Sequence, residues 1–496
     1  MACNSEGIVP GDSVSIVKDE TTSVSAFGDQ RIVEISPRVQ FSATYGLINT
    51  DILETFSATS GSADTNNNLY RCQTGTSLGG YGVIRSKDTV EYRPGEGVVC
   101  RFTAKFTTGI PLSLQFGGLF SLTETLAFGY DGADFSIIHE YDGFAEVQEI
   151  QVTGVAGGSE AATITLDGDA ATANLTNTTV QGNAFEIVRD LTADATLGAK
   201  WRFEQIDDMV ICIAQSVGNK TGTMSFSSAT ATATVTEAKA GAAKSNDNVV
   251  CTDWNRDTVP WLDPTKLNVY EVQYGYLGAV GPLFSVLHAT TGKFVKVHQI
   301  EWANNQTTAN FGNPSMKIGW AAASLGATGT NLTVEGASQM GAIEGSTPRL
   351  NRSKATQNTK SGIGTTLTSV LTIKNRLAYG DKFNLGDILP IGVSVDNDHN
   401  KGVIIELFKN ATLAGVTNYQ YIDENNSIAL LDTAGTTVTG GVRIGSFTVG
   451  SGLSEDKDIE KLNQSILPDE TLTIAVRTVI GTTTNTTATI TWFEEV

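Results

Sequence analysis

Long apolar runs are missing from this chain. Nothing reaches the roughly 18 consecutive apolar residues that a membrane-crossing helix needs, so no membrane insertion is expected. Basic clusters are missing too. Lys and Arg number 33 against 53 Asp and Glu, a net charge of −20, and a nucleic-acid footprint is absent. Charge of either sign is sparse at 17%, which leaves Thr, Ser, Asn and Gly to carry the surface. Such a surface suits a protein that stays soluble at high local density or outside a cell. The start "MACNSEGIVPGDS" has no basic opening and no apolar core, and Cys3 lacks the apolar stretch of a lipoprotein signal. Synthesis in a cytosol is the expectation. The five cysteines (Cys3, Cys72, Cys100, Cys212, Cys251) are odd in number and show no Cys-x-x-Cys spacing. Free, buried thiols are therefore expected rather than a disulfide framework.

What is present points to strands. Glycine is plentiful at 51, proline scarce at 11, and Val, Ile, Thr and aromatics recur in short runs. The 496 residues leave room for roughly three domains. Residues 1–30 are polar and weakly patterned and read as an N-terminal arm or attachment segment. From Arg31 the alternation begins. "RIVEISPRVQFSATY" carries Pro37, which marks an edge or a bend. "VEYRPGEGVVCRFTAKF" reads as two alternating runs around Pro94-Gly95, and Asp131-Gly132 marks a two-residue hairpin. Residues 31–145 and 242–345 share one aromatic, alternating pattern and read as two halves of one outer β-sandwich. "GPLFSVLHATTGKFVKVHQIEW" in the second half turns at Thr291-Gly292.

The segment between them, 146–241, differs. It offers a hairpin around Asp167-Gly168, then "NAFEIVRDLTAD", the clearest helix. Phe185, Val188 and Leu191 fall at i, i+3 and i+6 there, with Asn183 as N-cap. Two strands follow, and "ATATATVTEAKAGAAKSNDN" closes the segment as a linker. This is a small inserted α+β domain. Residues 346–496 open with the polar connector "STPRLNRSKATQNTKSG" and continue as a C-terminal β-sandwich. "SEDKDIEKLNQSIL" is its one helix candidate, with a loop as the other reading.

Candidate chemistry is thin. Gly95-Glu96-Gly97 is followed by a strand rather than a helix, and Glu96 would repel phosphate, so it reads as a turn. The carboxylate pairs Asp131/Asp134, Asp167/Asp169, Glu140/Asp142 and Asp207/Asp208 fall mostly in turns, where Asp bonds the backbone. "DNDHNKG", Asp396 to Gly402, resembles a calcium loop, but its glycine is one place late and a terminal Glu is missing. His139, His288, His298 and His399 show no metal spacing. His288 and His298 lie on either side of a turn and would face each other across a hairpin. Trp254 and Trp261 read as packing anchors, with sugar stacking as the alternative. The sequons at Asn174, Asn219, Asn331, Asn410 and Asn463 are what an Asn/Thr-rich chain makes by chance. No catalytic, cofactor-binding or metal-ligating residue is assigned, no cofactor is expected, and ligand-binding residues stay open.

The order of these pieces resembles a family. "VEYRPGEGVVCRFTAKFTTG", "FGGLF" and "LAFGYDGADFSI" resemble a domain of virion structural proteins of tailed phages, especially aquatic ones, with relatives in large algal viruses. The inserted "EIQVTG…ATITLDG…NAFEIVRDL…W" is similar to a small domain found inside it. "NVYEVQYGYLGAVGPLFSVLHATTGKFVKVHQIEW" and "NPSMKIGWAAASLG" look like its second half, and "IIELFKNATLAGV…ETLTIAVRT…TATITWFEE" like a closing β-domain. The resemblance implies a mostly-β chain with a concanavalin-like or jelly-roll sandwich, and a non-enzymatic tail-fibre or head-fibre subunit located on the virion and involved in host attachment. It implies contacts with other virion proteins through the arm and a homo-oligomer, a trimer by analogy with fibres. Host-surface glycans are the candidate external partner. A purely structural capsid or tail component and a polysaccharide-depolymerising tailspike are the alternatives.

Overall fold

Alternation in Val98, Cys100, Phe102, Ala104 and Phe106 requires a strand with one buried face, and Gly97–Phe106 forms it. This strand is the hub of the computed structural model, which describes residues 35–326, 328–345, 352–398, 401–462, 464–481 and 483–495. The N-terminal arm, Cys3, His399 and Asn463 lie outside the described residues.

Gly97–Phe106 pairs with Asn268–Gly275 on one side. On the other side it pairs with both Ser338–Glu344 and Thr333–Gly336. The nine-stranded antiparallel sheet extends to Val280–His288 and Lys293–Gln299 at one end, and to Leu69–Gln73 and Ser62–Asn66 at the other. Ile35–Ser42 adds an edge on Ser338–Glu344, with a bulge between Pro37 and Val39. That is where a residue without an N–H is tolerated. A second, eight-stranded sheet runs from Ser245–Asn246 through Asp134–Tyr141, Thr125–Asp131, Ser113–Phe120, Lys317–Ser324 and Tyr81–Ser86 to Leu53–Ala58. Strands from before residue 145 and after residue 242 lie side by side in both sheets. The fold is a β-sandwich interrupted by an insertion. Aromatic rings fill the space between its layers: Tyr270 packs on Phe102 at 5.4 Å and on Phe128 at 4.8 Å, and Trp320 stacks on Tyr70 at 5.7 Å.

The stretch before Pro94-Gly95 is not a second strand. Val90 makes a single bridge to Met316, and the chain then turns irregularly, with Glu96 N donating to Arg93 O and Gly95 at φ +89°. The Asp131 hairpin has its two-residue loop at Gly132-Ala133, because Asp131 pairs with Asp134. The loop between Val280–His288 and Lys293–Gln299 takes four residues, closing on Gly292.

In the insertion, Ala145–Gly154, Thr232–Lys239, Met209–Val217 and Trp201–Ile206 form a four-stranded sheet. Glu160–Leu166, Asp169–Leu175 and Ser225–Ser227 form a second, with Asp167 and Gly168 both at positive φ in the connecting turn. The helix runs Val180–Ala193 and starts earlier than its composition implies. Thr179 is the N-cap, its hydroxyl accepting from Gly182 N at 3.0 Å, while Asn183 is buried inside the helix. Ala184, Ile187 and Leu191 form the buried stripe, and Phe185 sits half-buried on its flank. Gly182 falls in the first turn of the helix and breaks nothing there. The expected linker is also structured: Thr232–Lys239 is an edge strand on Ala145–Gly154, and Ser245–Asn246 and Val249–Val250 pair with Asp134–Tyr141. Its alternation of Thr232, Thr234 and Thr236 with Ala233 and Val235 is a strand signal concealed by low complexity.

The C-terminal sandwich packs a four-stranded sheet (Lys354–Ile363, Thr484–Glu495, Asp387–Asn397, Ser454–Asp458) on a six-stranded one. The second holds Thr368–Asn375, Thr471–Thr478 and Val403–Lys409 at its centre. Trp492, Ile490, Ile474 and Leu371 are fully buried in its core. Part of the expected connector is thus the strand Lys354–Ile363. The helix candidate is a strand, Ser454–Asp458, and a single 3-10 turn, Glu460–Leu462. Alternating exposure along "SEDKD" fits an edge strand whose charges face water.

The three bodies share buried contacts. The outer face of the insertion's four-stranded sheet, with Val147, Ile206, Ile211 and Ile213, packs on Leu377, Ala378 and Leu430. Beside it Lys374 bridges buried Glu204 at 3.1 Å and Asp469 at 2.8 Å, and its ammonium lies 5.5 Å from the Tyr419 ring. Between the two sandwiches, Arg93 pairs with Glu495 at 3.1 Å and Thr89 donates to Leu385 O at 3.3 Å.

Candidate functional site

Most residues singled out in the sequence are held apart by the fold. Asp167 and Asp169 flank a tight turn, where Asp167 accepts from Gly222 N and Asp169 meets Lys200 at 2.5 Å. Asp207 and Asp208 form the loop between Trp201–Ile206 and Met209–Val217. Glu140 is paired with Lys244 at 2.7 Å. Asp396 and Asn397 end a strand, and Asn397 is buried, donating to Gly450 O at 3.1 Å and accepting from Thr484 at 2.7 Å. Among the described residues no group of three or more His, Cys, Asp or Glu side chains is placed to hold a metal.

The hairpin register separates His288 from His298. His288 stands opposite Lys293 and leans on Trp261, with ring centroids 4.6 Å apart, while His298 stands opposite Phe284. Trp254 is buried against Phe128 at 5.8 Å, its Nε1 donating to Val249 O. Cys72, Cys100 and Cys212 are buried free thiols, whereas Cys251 is exposed. Burial pushes Cys100 up to about 12 and raises Cys72 and Cys212 further still. Asn331 and Asn410 accept backbone N–H groups through their side chains.

A polar cluster lies inside one end of the first sandwich. His139 is fully buried, its Nε2 2.8 Å from Asn310 Oδ1, and its ring stacks on Tyr141 at 4.7 Å. Burial lowers its pKa, and burial with the nearby Arg256 brings His298 down to about 4. Glu124 accepts from Gly312 N at 2.9 Å, while its Oε2 has no hydrogen-bond partner among the described residues. Burial pushes Glu124 up to about 8. It lines a cavity of about 20 Å³ beside Phe144, Asn313 and Lys382. That volume admits a single water and no larger ligand.

A larger opening lies on the outward face of the nine-stranded sheet. Thr333–Gly336 and Ser338–Glu344 both pair with Gly97–Phe106, so the chain steps sideways at Ala337. Thr103 fixes this step, its Oγ1 accepting from Ala337 N at 2.7 Å and Ser338 N at 3.1 Å. Gly336 is required there, because a Cβ would meet the Trp320 ring at 2.3 Å. Beside the step is a groove of about 600 Å³, bordered by Gln40, Ser42, Arg101, Val269, Ser338 and Met340. This falls in the roughly 300–1,000 Å³ range of small-molecule sites.

Strand pairing lines up Ser285, Glu271, Arg101, Met340 and Gln40 across this face. Arg101 is the fixed cation of the row. Its Nε donates to Glu271 Oε2 at 2.5 Å, and its guanidinium carbon sits 5.2 Å from the Phe294 ring centroid. Glu271 is itself buried and accepts from Gln273 Nε2 at 2.5 Å. Further along, Asp64, Arg71, Glu335 and Lys105 form a cross-strand ladder with ion pairs of 2.7 and 2.6 Å at its ends. None of these outward residues was assigned from the sequence. The available signal was a charge at the solvent-facing position of an aromatic strand, Arg101 within "VVCRFTAKF" above all.

No family model and no curated protein matches the chain. Among solved structures, it is similar to Rv0315 of Mycobacterium tuberculosis, described as an immunostimulatory antigen and pseudo beta-1,3-glucanase. That alignment has 9% identity and TM-score 0.26, over 63% of this chain and all of that one. It is similar to arcelin-5, a lectin-like defence protein of Phaseolus vulgaris, at 8% identity and TM-score 0.22, over 62% and 99%. Lectin I of Ulex europaeus gives 8% identity and TM-score 0.22, over 62% and 97%. At these scores the likeness carries no functional argument.

Proposed function

We propose that the chain is a virion structural protein of a tailed phage or a related virus, exposed on the particle as a tail-fibre or head-fibre subunit that contacts the host surface. The observation that carries this reading is the joining of three β-rich bodies by buried polar and apolar contacts. Lys374 with Glu204 and Asp469, and Arg93 with Glu495, are its charged members. Three bodies joined in this way suit an appendage that is loaded as one piece. The sequence resemblance to virion proteins and the acidic, Thr/Asn-rich surface support the same reading.

Attachment would work through many weak contacts. In a symmetric oligomer, modest site affinities multiply into firm adhesion. Adsorption competition tests this. Excess purified protein is expected to slow the binding of particles to host cells. Unchanged adsorption would favour the purely structural alternative, and shortened chains after incubation with host polysaccharide would favour the depolymerising one.

A further inference from the structure

We infer that the groove over Arg101 binds a sugar bearing a carboxylate, such as a uronic or sialic acid residue of a surface polysaccharide. The inference deepens the attachment reading by naming the ligand class.

Arg101 carries the argument. A guanidinium recognises a carboxylate best when its plane is already fixed, because two parallel N–H···O bonds then form without further ordering. Here Nε is held by buried Glu271, Glu271 is held by Gln273, and the Phe294 ring covers one side. The bond to Glu271 uses Nε alone. The two terminal amino groups have no hydrogen-bond partner among the described residues, and the side chain is 35% exposed. A cation held by two neighbours, one of them itself fixed by a third residue, with its fork left open is arranged for an anion from outside.

The rest of the groove suits a sugar ring rather than a bare anion. Gln40 and Ser338 are exposed, and their side chains have no hydrogen-bond partner among the described residues, so both are open to hydroxyls. Val269 and Met340 are half-buried beside them and offer apolar surface to the C–H face of a ring. The opening exceeds what a free carboxylate needs. Charge argues for a local match rather than general attraction to polyanions, since the chain as a whole carries −20.

The test is direct binding by the full chain. The probes are short oligogalacturonate, the same oligomer with its carboxyls reduced to alcohols, sialylated oligosaccharides and sulfated ones. At least one carboxylated glycan is expected to bind. Carboxyl reduction is expected to weaken it roughly tenfold or more, and Arg101→Lys, which keeps the charge but loses the fork, to do the same. Glu271→Gln acts through the position of Arg101 and is expected to give a smaller loss, most visible in the preference for acid over alcohol. If Arg101→Lys lowers the melting temperature, Gln40→Ala at an exposed edge position replaces it, with a severalfold loss expected.

Absence of binding to every carboxylated glycan would overturn the inference. Equal affinity for acid and alcohol, binding of sulfated glycans only, or undiminished binding by Arg101→Lys with unchanged melting would do so as well. These readouts use isolated protein. Failure here leaves exposure on the particle standing, and failure to find the chain on particles leaves the groove's chemistry standing.

Discussion

At the scale of single residues, the interior of the first sandwich carries protons in unusual places. Burial pushes Glu124 up to about 8, so between the unfolded carboxyl range near 4.5 and about 8 the folded chain binds the extra proton. Stability from this group is complete at low pH and is lost as pH rises through 8. His298, brought down to about 4, acts oppositely: its contribution is lost as pH falls from about 6.5 to 4. Between pH 6.5 and 8 the Glu124 effect therefore stands unopposed by His298. Glu124→Gln, which keeps the acceptor for Gly312 N, is expected to reduce the decline of denaturation midpoints across that window. An unchanged slope would place the proton elsewhere, with buried Asp387, whose pKa is also raised, as the first suspect. The thiols offer a second check. At neutral pH an alkylating reagent is expected to modify Cys251 in the native chain, and Cys72, Cys100 and Cys212 only after unfolding. Peptide mapping reads the difference.

At the scale of elements, strands were the legible part. The aromatic runs around Phe102, Phe128 and Tyr270 announced themselves, because large apolar side chains at alternate positions of a strand face one core. Elements made of small polar residues were not legible. Thr232–Lys239 and Lys354–Ile363 are edge strands whose outward faces meet water, so composition made them look like linker and connector. The helix starts on Thr179, four residues ahead of the Asn183 that the apolar periodicity points to, because its first turn carries no apolar stripe. Thr179→Ala is expected to cost about 1 kcal/mol of stability, and Thr179→Asn to restore most of it. Urea midpoints, with hydrogen exchange of the first helical turn, check this. The groove was the least legible feature of all. Arg101, Glu271, Phe294 and Gln40 come from four strands spread over most of the sandwich, and only pairing register brings them together.

At the scale of the whole molecule, buried Lys374 and Glu204, with the more exposed Asp469 on the outer side of the pair, couple the insertion to the C-terminal sandwich. Removing one partner of such a pair strands a charge in the interior. Lys374→Met alone is expected to cost about 3–5 kcal/mol and to open the joint to limited proteolysis. Adding Glu204→Gln is expected to recover part of that loss, since the stranded charge is then gone. Equal sensitivity of single and double variants would show that the joint depends on the surrounding apolar contacts of Leu377, Leu430 and Ile213 instead. A chain of joined bodies is what the appendage reading asks of the molecule, and the Arg101 groove lies on an outward sheet face. Electron imaging of purified, intact particles labelled with gold-tagged antibody against this chain tests that reading most directly. Regularly placed gold on the outside of the particle is the expected result; particles that carry none, with the chain confined to the infected-cell lysate, would contradict it.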